Sequence, residues 1–460
     1  MAWASLPALV PAATCALVLT VCVAVRRPKN LGGQRDRHRR GALIIGQPSR
    51  LRRLWGTAPA RRTDCVTVAG ICVPTLDETK HFKMVGTTGT GKSTAIHELL
   101  GSALRRGDRA VISDPDGGYQ ARLFRRGRGD RILNPFEVQS ERWDLFGEID
   151  EPYDVDQLAS ALIPHSDDPS TREWRSYART LFIAVVRGCR AAGCSSLSEL
   201  WRLLSMAAPE ELRPLVAGSP AQAFLDSDNG RMFGSIRSVL LSAIAALEYV
   251  KSQRATPFAV RRWIRSGRGV LFIPYRAGQI AALRSIIAGW MRLAIVEAMN
   301  GAEGRDQHLW FVVDELDALG AIDGLKDALA RLRKFGGRCV LGFQSVAQVS
   351  STYGAGEAQT LIENCSNTLI LRCSGSENGG TSQFASRLIG EREVRRSQRS
   401  LSRDRETGWS TSGGRRSVQL SEQFATETAL MPSEIEQLPD LTGYLKLASS
   451  PAWRRVQLRS

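Results

Sequence analysis

A glycine-rich run near residue 90 restricts the possible folds of this chain more than any other feature of its sequence. Residues 86–93 read Gly-Thr-Thr-Gly-Thr-Gly-Lys-Ser and fit the pattern G-x-x-x-x-G-K-[ST] without departure. Glycines allow the backbone to curl so that successive N–H groups point at phosphate oxygens. The apolar segment Phe82–Val85 precedes the run, and helix-forming residues follow it as far as Leu100. This strand–loop–helix context predicts a phosphate-binding loop rather than a glycine-rich turn that binds nothing.

Individual residues of this loop have predictable roles. We expect Lys92 to place its charge at the β- and γ-phosphates of ATP and the Ser93 hydroxyl to reach Mg²⁺. The helix that opens here would offer its positive N-terminal end to the same anion. The predicted nucleotide-binding residues are Gly86, Thr87, Thr88, Gly89, Thr90, Gly91, Lys92, Ser93 and Thr94.

An acidic strand end supplies the second half of the predicted site. Leu309–Val313 is an apolar run that ends in Asp314 and Glu315. Asp314 is expected in the magnesium shell, and Glu315 is expected to orient or deprotonate the attacking water. The alternative is that these acids, with Asp317, cap a helix. Together with the glycine-rich loop, they favour a catalytic site that uses ATP and Mg²⁺.

Two more polar residues follow apolar runs. Gln344 comes after Cys339–Phe343 and is predicted to sense the γ-phosphate or position water; the alternative is a loop residue bonded to the backbone. Arg372 comes after Thr368–Leu371 and is predicted to act as an arginine finger on a neighbouring subunit, the alternative being an ordinary surface arginine. The residues that compete for the finger role are Arg331, Arg333 and Lys334.

The pattern of apolar segments predicts an α/β fold. Short apolar runs alternate with helical segments before residue 150 and after residue 265, which indicates a mostly parallel sheet covered on both faces. Residues 151–255 instead show apolar residues at three- and four-residue steps, as on helices. We therefore predict a P-loop NTPase domain in two parts, 64–150 and 256–460, interrupted by an all-α insertion at 151–255. The helical stripes are Trp174, Tyr177, Ala178, Leu181, Phe182 and Val185, then Phe233, Ile236, Val239, Leu240, Ile244 and Leu247.

The N-terminal segment predicts a membrane anchor. Leu6–Val25 contains no charge and has about the length that crosses a ~30 Å hydrocarbon core. No Lys or Arg precedes it and many follow, so the positive-inside rule places the N-terminus outside and the remainder in the cytoplasm. We assign residues 1–26 to the transmembrane anchor and 27–63 to a basic juxtamembrane segment. A cleaved signal peptide is the alternative, but its positive n-region is missing.

Charge and cysteine content narrow the class of protein further. The formal net charge of +16 favours polyanionic partners, either nucleic acid or anionic lipid, although a genome bias towards arginine would also produce it. Arg26–Arg62 holds twelve Lys or Arg and one acid, and Arg392–Arg416 holds eight Arg and three acids. The second run is predicted to be an exposed loop. The nine cysteines show no CxxC spacing, and we expect reduced, mostly buried thiols without a disulfide or zinc framework.

Several motifs give the chain a family resemblance over roughly residues 75 to 450. It resembles the type IV secretion coupling proteins of the TraD/TrwB kind, which are related to the FtsK and HerA DNA-pumping ATPases. The run Asn134-Pro135-Phe136 and the helical insertion narrow the likeness to coupling proteins. The matching stretches are His81–Thr94, Asp114–Gly117, Gly129–Phe136, Trp174–Arg179, Leu309–Glu315, Gly342–Ser345 and Pro432–Glu434.

The resemblance implies both an architecture and a function. It implies a RecA-like ATPase that forms a homohexameric ring on the bacterial inner membrane. Such a ring recruits a relaxase bound to DNA and feeds single-stranded DNA to the proteins of a type IV secretion channel. Lys92, Ser93, Asp314, Glu315 and Gln344 match the positions that bind and hydrolyse nucleotide in the family. Two other functions stay open at this point: a chromosome pump of the FtsK or HerA type, and a receptor that recruits protein effectors.

Overall fold

The computed structural model describes residues 37–46, 65–166, 168–302, 308–376, 380–403 and 416–459. The predicted membrane anchor at Leu6–Val25 and most of the basic segment 27–63 lie outside these residues. Within the described part of the chain, no helix combines the length and the apolar character that crossing a membrane requires. The described residues divide into two compact units, one of residues 37–41, 391–403 and 416–428 and the other of the described residues within 42–390 and 429–459.

Strands and helices are numbered here in chain order. The strands are β1 (Arg37–Gly41), β2 (Leu43–Ile45), β3 (Thr67–Val68), β4 (Ile71–Cys72), β5 (Phe82–Val85), β6 (Arg109–Pro115), β7 (Arg131–Ile132), β8 (Arg142–Trp143), β9 (Pro257–Phe258), β10 (Val270–Tyr275), β11 (Leu309–Val313), β12 (Gly337–Phe343), β13 (Asn367–Ile370), β14 (Glu391–Arg403), β15 (Arg416–Thr428), β16 (Thr442–Lys446) and β17 (Ala452–Gln457). The helices are α1 (Thr75–Glu78), α2 (Lys92–Arg106), α3 (Gly118–Leu123), α4 (Asp154–Leu162), α5 (Pro169–Ala191), α6 (Leu197–Ser205), α7 (Pro209–Val216), α8 (Gly230–Ile244), α9 (Leu247–Lys251), α10 (Val260–Ser266), α11 (Ile280–Ala298), α12 (Leu325–Leu332), α13 (Val346–Tyr353), α14 (Ala355–Asn364), α15 (Gly380–Ile389) and α16 (Pro432–Glu436).

The larger unit is built on a ten-stranded sheet in the order β2-β17-β16-β13-β5-β12-β11-β6-β10-β7. The seven strands from β13 to β7 run parallel, while β16 and β17 continue the sheet antiparallel. The parallel part confirms the predicted α/β class. The antiparallel extension was not predicted from the sequence.

The strand residues alternate between two hydrophobic clusters. On β11, Trp310 and Val312 pack in one cluster with Ile96 and Leu99 of α2, whereas Phe311 packs in the other. Successive side chains of a strand point to opposite faces, so a strand that is apolar throughout needs cover on both sides. The sheet is therefore the middle layer of the larger unit.

The segment between β8 and β9 contains only helices among its described elements. Leu181 and Phe182 of the predicted stripe are buried on α5, and Ile236 and Leu240 are buried on α8. These residues belong to the same cluster as Phe311 of the sheet. The helical segment therefore shares a core with one face of the sheet.

The smaller unit corrects the prediction of an exposed loop at Arg392–Arg416. Residues 391–403 form β14, which pairs antiparallel with β15 along its whole length, and β1 pairs with β14 on the other side. Arg392 and Arg396 contact the Glu427 carboxylate across the pair at 2.8 and 2.7 Å. For residues 392–403 and 416 the loop prediction was wrong, because acids that pair with these arginines lie on the partner strand, beyond residue 416. Residues 404–415 lie outside the described residues.

A disulfide corrects the prediction that the cysteines are all reduced. Cys65 and Cys72 are bonded across the hairpin of β3 and β4, with Cα atoms 5.8 Å apart. Antiparallel pairing of Thr67 with Cys72 brings the two positions together. The absence of CxxC spacing does not exclude this bond, because its two cysteines flank a turn instead. The free thiols of the described residues include Cys339 and Cys365, both buried.

Candidate nucleotide-binding site

The glycine-rich loop lies between the end of β5 and the start of α2, as predicted. Gly89 and Gly91 have φ values of 78° and 114°, a region that side-chain-bearing residues rarely adopt. A Cβ on Gly86 would lie 2.8 Å from the Leu371 side chain and 2.9 Å from Thr90 Oγ1. The glycines are therefore required by the conformation of the loop and by its close packing.

Lys92 is buried at the first residue of α2. Its ammonium donates hydrogen bonds to the carbonyl oxygens of Gly86 and Thr87, the second at 3.2 Å. Burial lowers the pKa of Lys92, and the nearby carboxylates of Asp314 and Glu315 act in the opposite direction. The loop therefore folds around the ammonium, which lies between its own backbone and the acidic strand end.

The structure brings Asp314 next to Ser93. The Ser93 hydroxyl donates to Asp314 Oδ2 at 2.7 Å, although 221 residues separate the two along the chain. Asp314 Oδ1 is buried and has no hydrogen-bond partner among the described residues. One carboxylate oxygen is thus hydrogen-bonded and the other has no partner among the described residues, which suits a hard divalent cation shared with a hydroxyl.

Glu315 lies at the mouth of the same pocket. Burial raises the pKa of the Glu315 carboxyl, the neighbouring carboxylates of Asp314 and Asp317 raise it further, and Lys92 lowers it. A carboxyl with a raised pKa is a better proton acceptor once it is ionised, as a general base requires. The pocket has a volume of about 190 Å³ and is lined by Thr88, Gly89, Gly91, Lys92, Ser93, Thr94, Asp314, Glu315, Gln344 and Leu441.

Gln344 reaches the loop, and Arg372 is held within its own chain. Thr88 Oγ1 donates to Gln344 Oε1 at 2.9 Å, which places the amide over the pocket. The Arg372 guanidinium contacts the Asp440 carboxylate at 2.7 Å, and the Arg372 carbonyl accepts from the Thr87 N–H at 2.8 Å. Within this chain Arg372 therefore supports the loop through its backbone, and its side chain is engaged with an acid of its own chain.

The other candidates for the arginine finger lie beyond the opposite ends of the strands from the pocket. Arg331 is in the last turn of α12, and Arg333 and Lys334 follow it immediately before β12 begins. The phosphate loop follows the C-terminal end of β5, which runs parallel to β12. These three cations are therefore at the opposite end of the strands from the pocket of their own chain.

Sequence reasoning missed two contributions to this site. The buried Tyr119 hydroxyl donates to Asp314 Oδ2 at 2.7 Å, and Asp114 holds Tyr119 by accepting from its N–H at 2.9 Å. Leu441, with a φ of 60°, lines the pocket and donates its N–H to the Thr90 carbonyl at 3.0 Å. The Asp114–Gly117 turn was the available signal for the first contribution, whereas no local motif marks Leu441.

Strand order defines the class of protein. β12, which Gln344 follows directly, lies between the phosphate-loop strand β5 and the acidic strand β11. A phosphate loop and an acidic strand separated by one further strand, in a parallel sheet, are the arrangement of RecA-like P-loop nucleoside triphosphatases. Lys92, Ser93 and Asp314 supply the ammonium, hydroxyl and carboxylate that a magnesium–nucleotide complex requires.

Sequence comparison then gives the family. Residues 65–459 match the profile of the type IV secretion-system coupling protein DNA-binding domain, and the chain belongs to this family. It is 32% identical over 379 residues to the coupling protein TraD of Escherichia coli (strain K12), which covers 80% of this chain. The chain spans about half of that relative, 51% of its length.

Solved structures of the conjugative coupling protein TrwB agree with this assignment. The unbound form of TrwB, lacking its N-terminal segment, superposes with a TM-score of 0.79 at 30% identity, over 94% of this chain and 95% of that one. TrwB in complex with ADP and Mg²⁺ gives a TM-score of 0.78 at 30% identity, over 93% and 95% of the two chains. The likeness therefore includes a structure with nucleotide and metal bound.

Proposed function

We propose that this chain is the ATP-driven motor of a conjugative type IV secretion system and moves single-stranded DNA to the secretion channel. The observation that carries the proposal is the 2.7 Å hydrogen bond from Ser93 to Asp314, which joins the phosphate loop and the acidic strand in one pocket. Family membership supports the DNA substrate, and the nucleotide complexes of TrwB support ATP and Mg²⁺ as ligands.

Each residue of the pocket has a separate role in hydrolysis. Lys92 and the loop N–H groups hold the phosphates, and Ser93 with Asp314 would hold the metal, which neutralises charge on the transferred phosphoryl group when bound. Glu315 accepts a proton from the attacking water. Gln344, already bonded to Thr88, positions that water or reports the state of the γ-phosphate.

The assembly belongs to the same proposal. A homohexameric ring, anchored in the bacterial inner membrane by Leu6–Val25 with the N-terminus outside, would hold the motor in the cytoplasm beside the channel. A relaxase bound to DNA and the channel proteins are the proposed partners. Arg372 would serve a neighbouring subunit only if its contact with Asp440 opened on assembly.

ATP turnover by the full chain in detergent, with and without single-stranded DNA, tests the proposal. Glu315→Gln should retain binding of a fluorescent ATP analogue and lose about 10²–10⁴-fold in turnover, since a positioned base contributes that much. Asp317→Asn, a change to the next acid along the loop, is the matched control and should turn over within a few-fold of wild type.

Two results would contradict the motor. Equal turnover in Glu315→Gln and wild type would remove the catalytic base. Turnover that is indifferent to DNA would favour a receptor that recruits protein effectors.

A further inference from the structure

The loop that carries Asn134-Pro135-Phe136 is built rigidly, although the phosphate chemistry does not use it. Asn134 is buried, and its side-chain amide donates to the Pro274 carbonyl at 2.8 Å. The Asn134 side-chain oxygen accepts from the Phe136 N–H at 2.8 Å. One buried side chain therefore ties the loop to the end of β10 and fixes the direction in which the backbone leaves.

The rest of the loop is closed by its own hydrogen bonds. The Asn134 N–H donates to Ser140 Oγ at 2.9 Å, and the Glu137 N–H donates to the Asn134 carbonyl at 3.0 Å. This closed turn directs Phe136 and Val138 outward, with 42% and 101% of each residue exposed. A rigid turn that presents large apolar side chains to solvent loses hydrophobic stabilisation unless a ligand covers them.

Phe136 does not stand alone on this surface. Its ring packs on Tyr249 of α9, with centroids 4.8 Å apart and an interplanar angle of 56°. Tyr249 is 41% exposed, while its helical neighbours Leu247 and Val250 are buried and hold the helix in place. We call Phe136 and Tyr249 the aromatic pair; the two rings contact each other, and both residues remain partly exposed to solvent.

The aromatic pair lies at the same edge of the sheet as the phosphate loop. Pro274, which anchors the turn, is the second-last residue of β10. The last residue, Tyr275, accepts at its carbonyl from the Asp116 N–H at 2.7 Å, just beyond β6. The following residue, Arg276, is a cation whose side chain is 74% exposed, and its guanidinium is 3.9 Å from the Glu137 carboxylate of the turn. Open aromatic rings beside an exposed arginine are how proteins bind single-stranded nucleic acid without reading its sequence.

We infer that the aromatic pair is a stacking platform for bases of single-stranded DNA, with Arg276 next to the sugar–phosphate backbone. The inference rests on the proposed function, since it assigns residues to the contact with the transported strand. Bases inside a duplex are stacked on both sides, so the platform selects unpaired bases. The platform lies at the carboxyl ends of the parallel strands, where the ATP site also lies.

Binding of two fluorescent oligonucleotides to the full chain tests the inference. One is a thymidine 20-mer, and the other is an abasic 20-mer with the same phosphate charge. Phe136→Ala with Tyr249→Ala should weaken binding of the thymidine strand by roughly 5- to 150-fold, the range for loss of one stacked base. Binding of the abasic strand should not change. Phe136→Tyr with Tyr249→Phe keeps both rings and should bind both strands as wild type does.

Tyr153→Ala is the matched control, because Tyr153 is an exposed aromatic (58%) of the helical segment outside the pair. The inference is overturned if the double alanine variant binds the thymidine strand normally, or if it loses both strands equally. It is also overturned if light scattering shows that the variant no longer forms the wild-type oligomer, since the pair would then be a subunit contact. Wild type that binds neither strand, and whose turnover ignores DNA, would instead reject the proposed function itself.

Discussion

Tyr119 offers the sharpest test of how the site is organised, because it contacts Asp314 from outside both the phosphate loop and the acidic strand. Its buried hydroxyl donates to Asp314 Oδ2 at 2.7 Å, alongside the Ser93 hydroxyl. Burial and the Asp314 carboxylate raise the pKa of Tyr119, so the phenol keeps its proton and remains a donor. If Ser93 turns to the metal, Tyr119 becomes the side chain that still orients Asp314. Tyr119 is therefore a positioning residue for the metal.

The expected effect of Tyr119→Phe follows from that hydrogen bond. Loss of a partner that orients a metal ligand costs about 10- to 100-fold in metal affinity or activity. We expect the Mg²⁺ concentration for half-maximal ATP turnover to rise by that factor. A hydrogen bond to a charged group also contributes about 1.5–3 kcal/mol to stability, so the thermal unfolding temperature should fall as well.

Tyr353→Phe separates the two effects. Tyr353 is also buried, and its hydroxyl donates to the Gly320 carbonyl and accepts from the Ile322 N–H, both at 3.3 Å. This control should lose stability and keep the wild-type Mg²⁺ dependence. A Tyr119→Phe variant whose half-saturating Mg²⁺ stays within twofold of wild type would refute the positioning role.

Three further predictions concern the packing around the site and the stability of the sheet. A Cβ on Gly342 would lie 2.3 Å from the Asp314 carbonyl oxygen and 2.9 Å from Asp314 Oδ1. Gly342→Ala should therefore lower the free energy of unfolding by about 1–3 kcal/mol. It should also reduce ATP turnover by a larger factor than it reduces nucleotide binding measured without Mg²⁺. Burial lowers the pKa of His81 to about 4 from its ordinary 6.5. The neutral imidazole therefore contributes stability above pH 6.5, and this contribution is lost as the pH falls through 4. Between pH 7 and pH 4, the free energy of unfolding measured with denaturant should change by about 3 kcal/mol less in His81→Gln than in wild type. Reduction of Cys65–Cys72 should lower the free energy of unfolding by roughly 2–3 kcal/mol, measured with and without dithiothreitol, and a Cys72→Ser variant should not respond to the reductant.

The parallel core of the fold could be predicted because its strands are apolar on both faces. Phe82–Val85 and Leu309–Val313 occupy the predicted positions without change. The antiparallel strands β16 and β17 could not be predicted in the same way, since β17 alternates buried Trp453 with exposed Arg454 and Arg455 and lacks a continuous apolar run. Such a strand is specified by the strands that pair with it, here β2 and β16, rather than by its own composition.

In the site, too, the residues of local motifs could be predicted, whereas the residues brought in by tertiary packing could not. Lys92 and Ser93 lie beside Asp314 as predicted. The phosphate loop could be recognised from its fixed spacing, and Asp314 from its place at the end of an apolar strand. Tyr119 and Leu441 reach the pocket through tertiary packing, which leaves no periodic trace in the sequence. The catalytic roles stay predictions for all five candidates, Lys92, Asp314, Glu315, Gln344 and Arg372, although the structure places the first four at the pocket.

A metal-edge anomalous difference map from crystals grown with Mn²⁺ and a non-hydrolysable ATP analogue would locate the metal and the triphosphate relative to Asp314 and Lys92. Ser93 and Asp314 are 221 residues apart in the chain, and we propose that they bind the same magnesium–triphosphate complex. We predict one manganese peak between Ser93 Oγ and Asp314 Oδ1, with the γ-phosphate in contact with Lys92. A manganese peak coordinated away from Asp314, or a triphosphate that does not touch Lys92, would contradict the account.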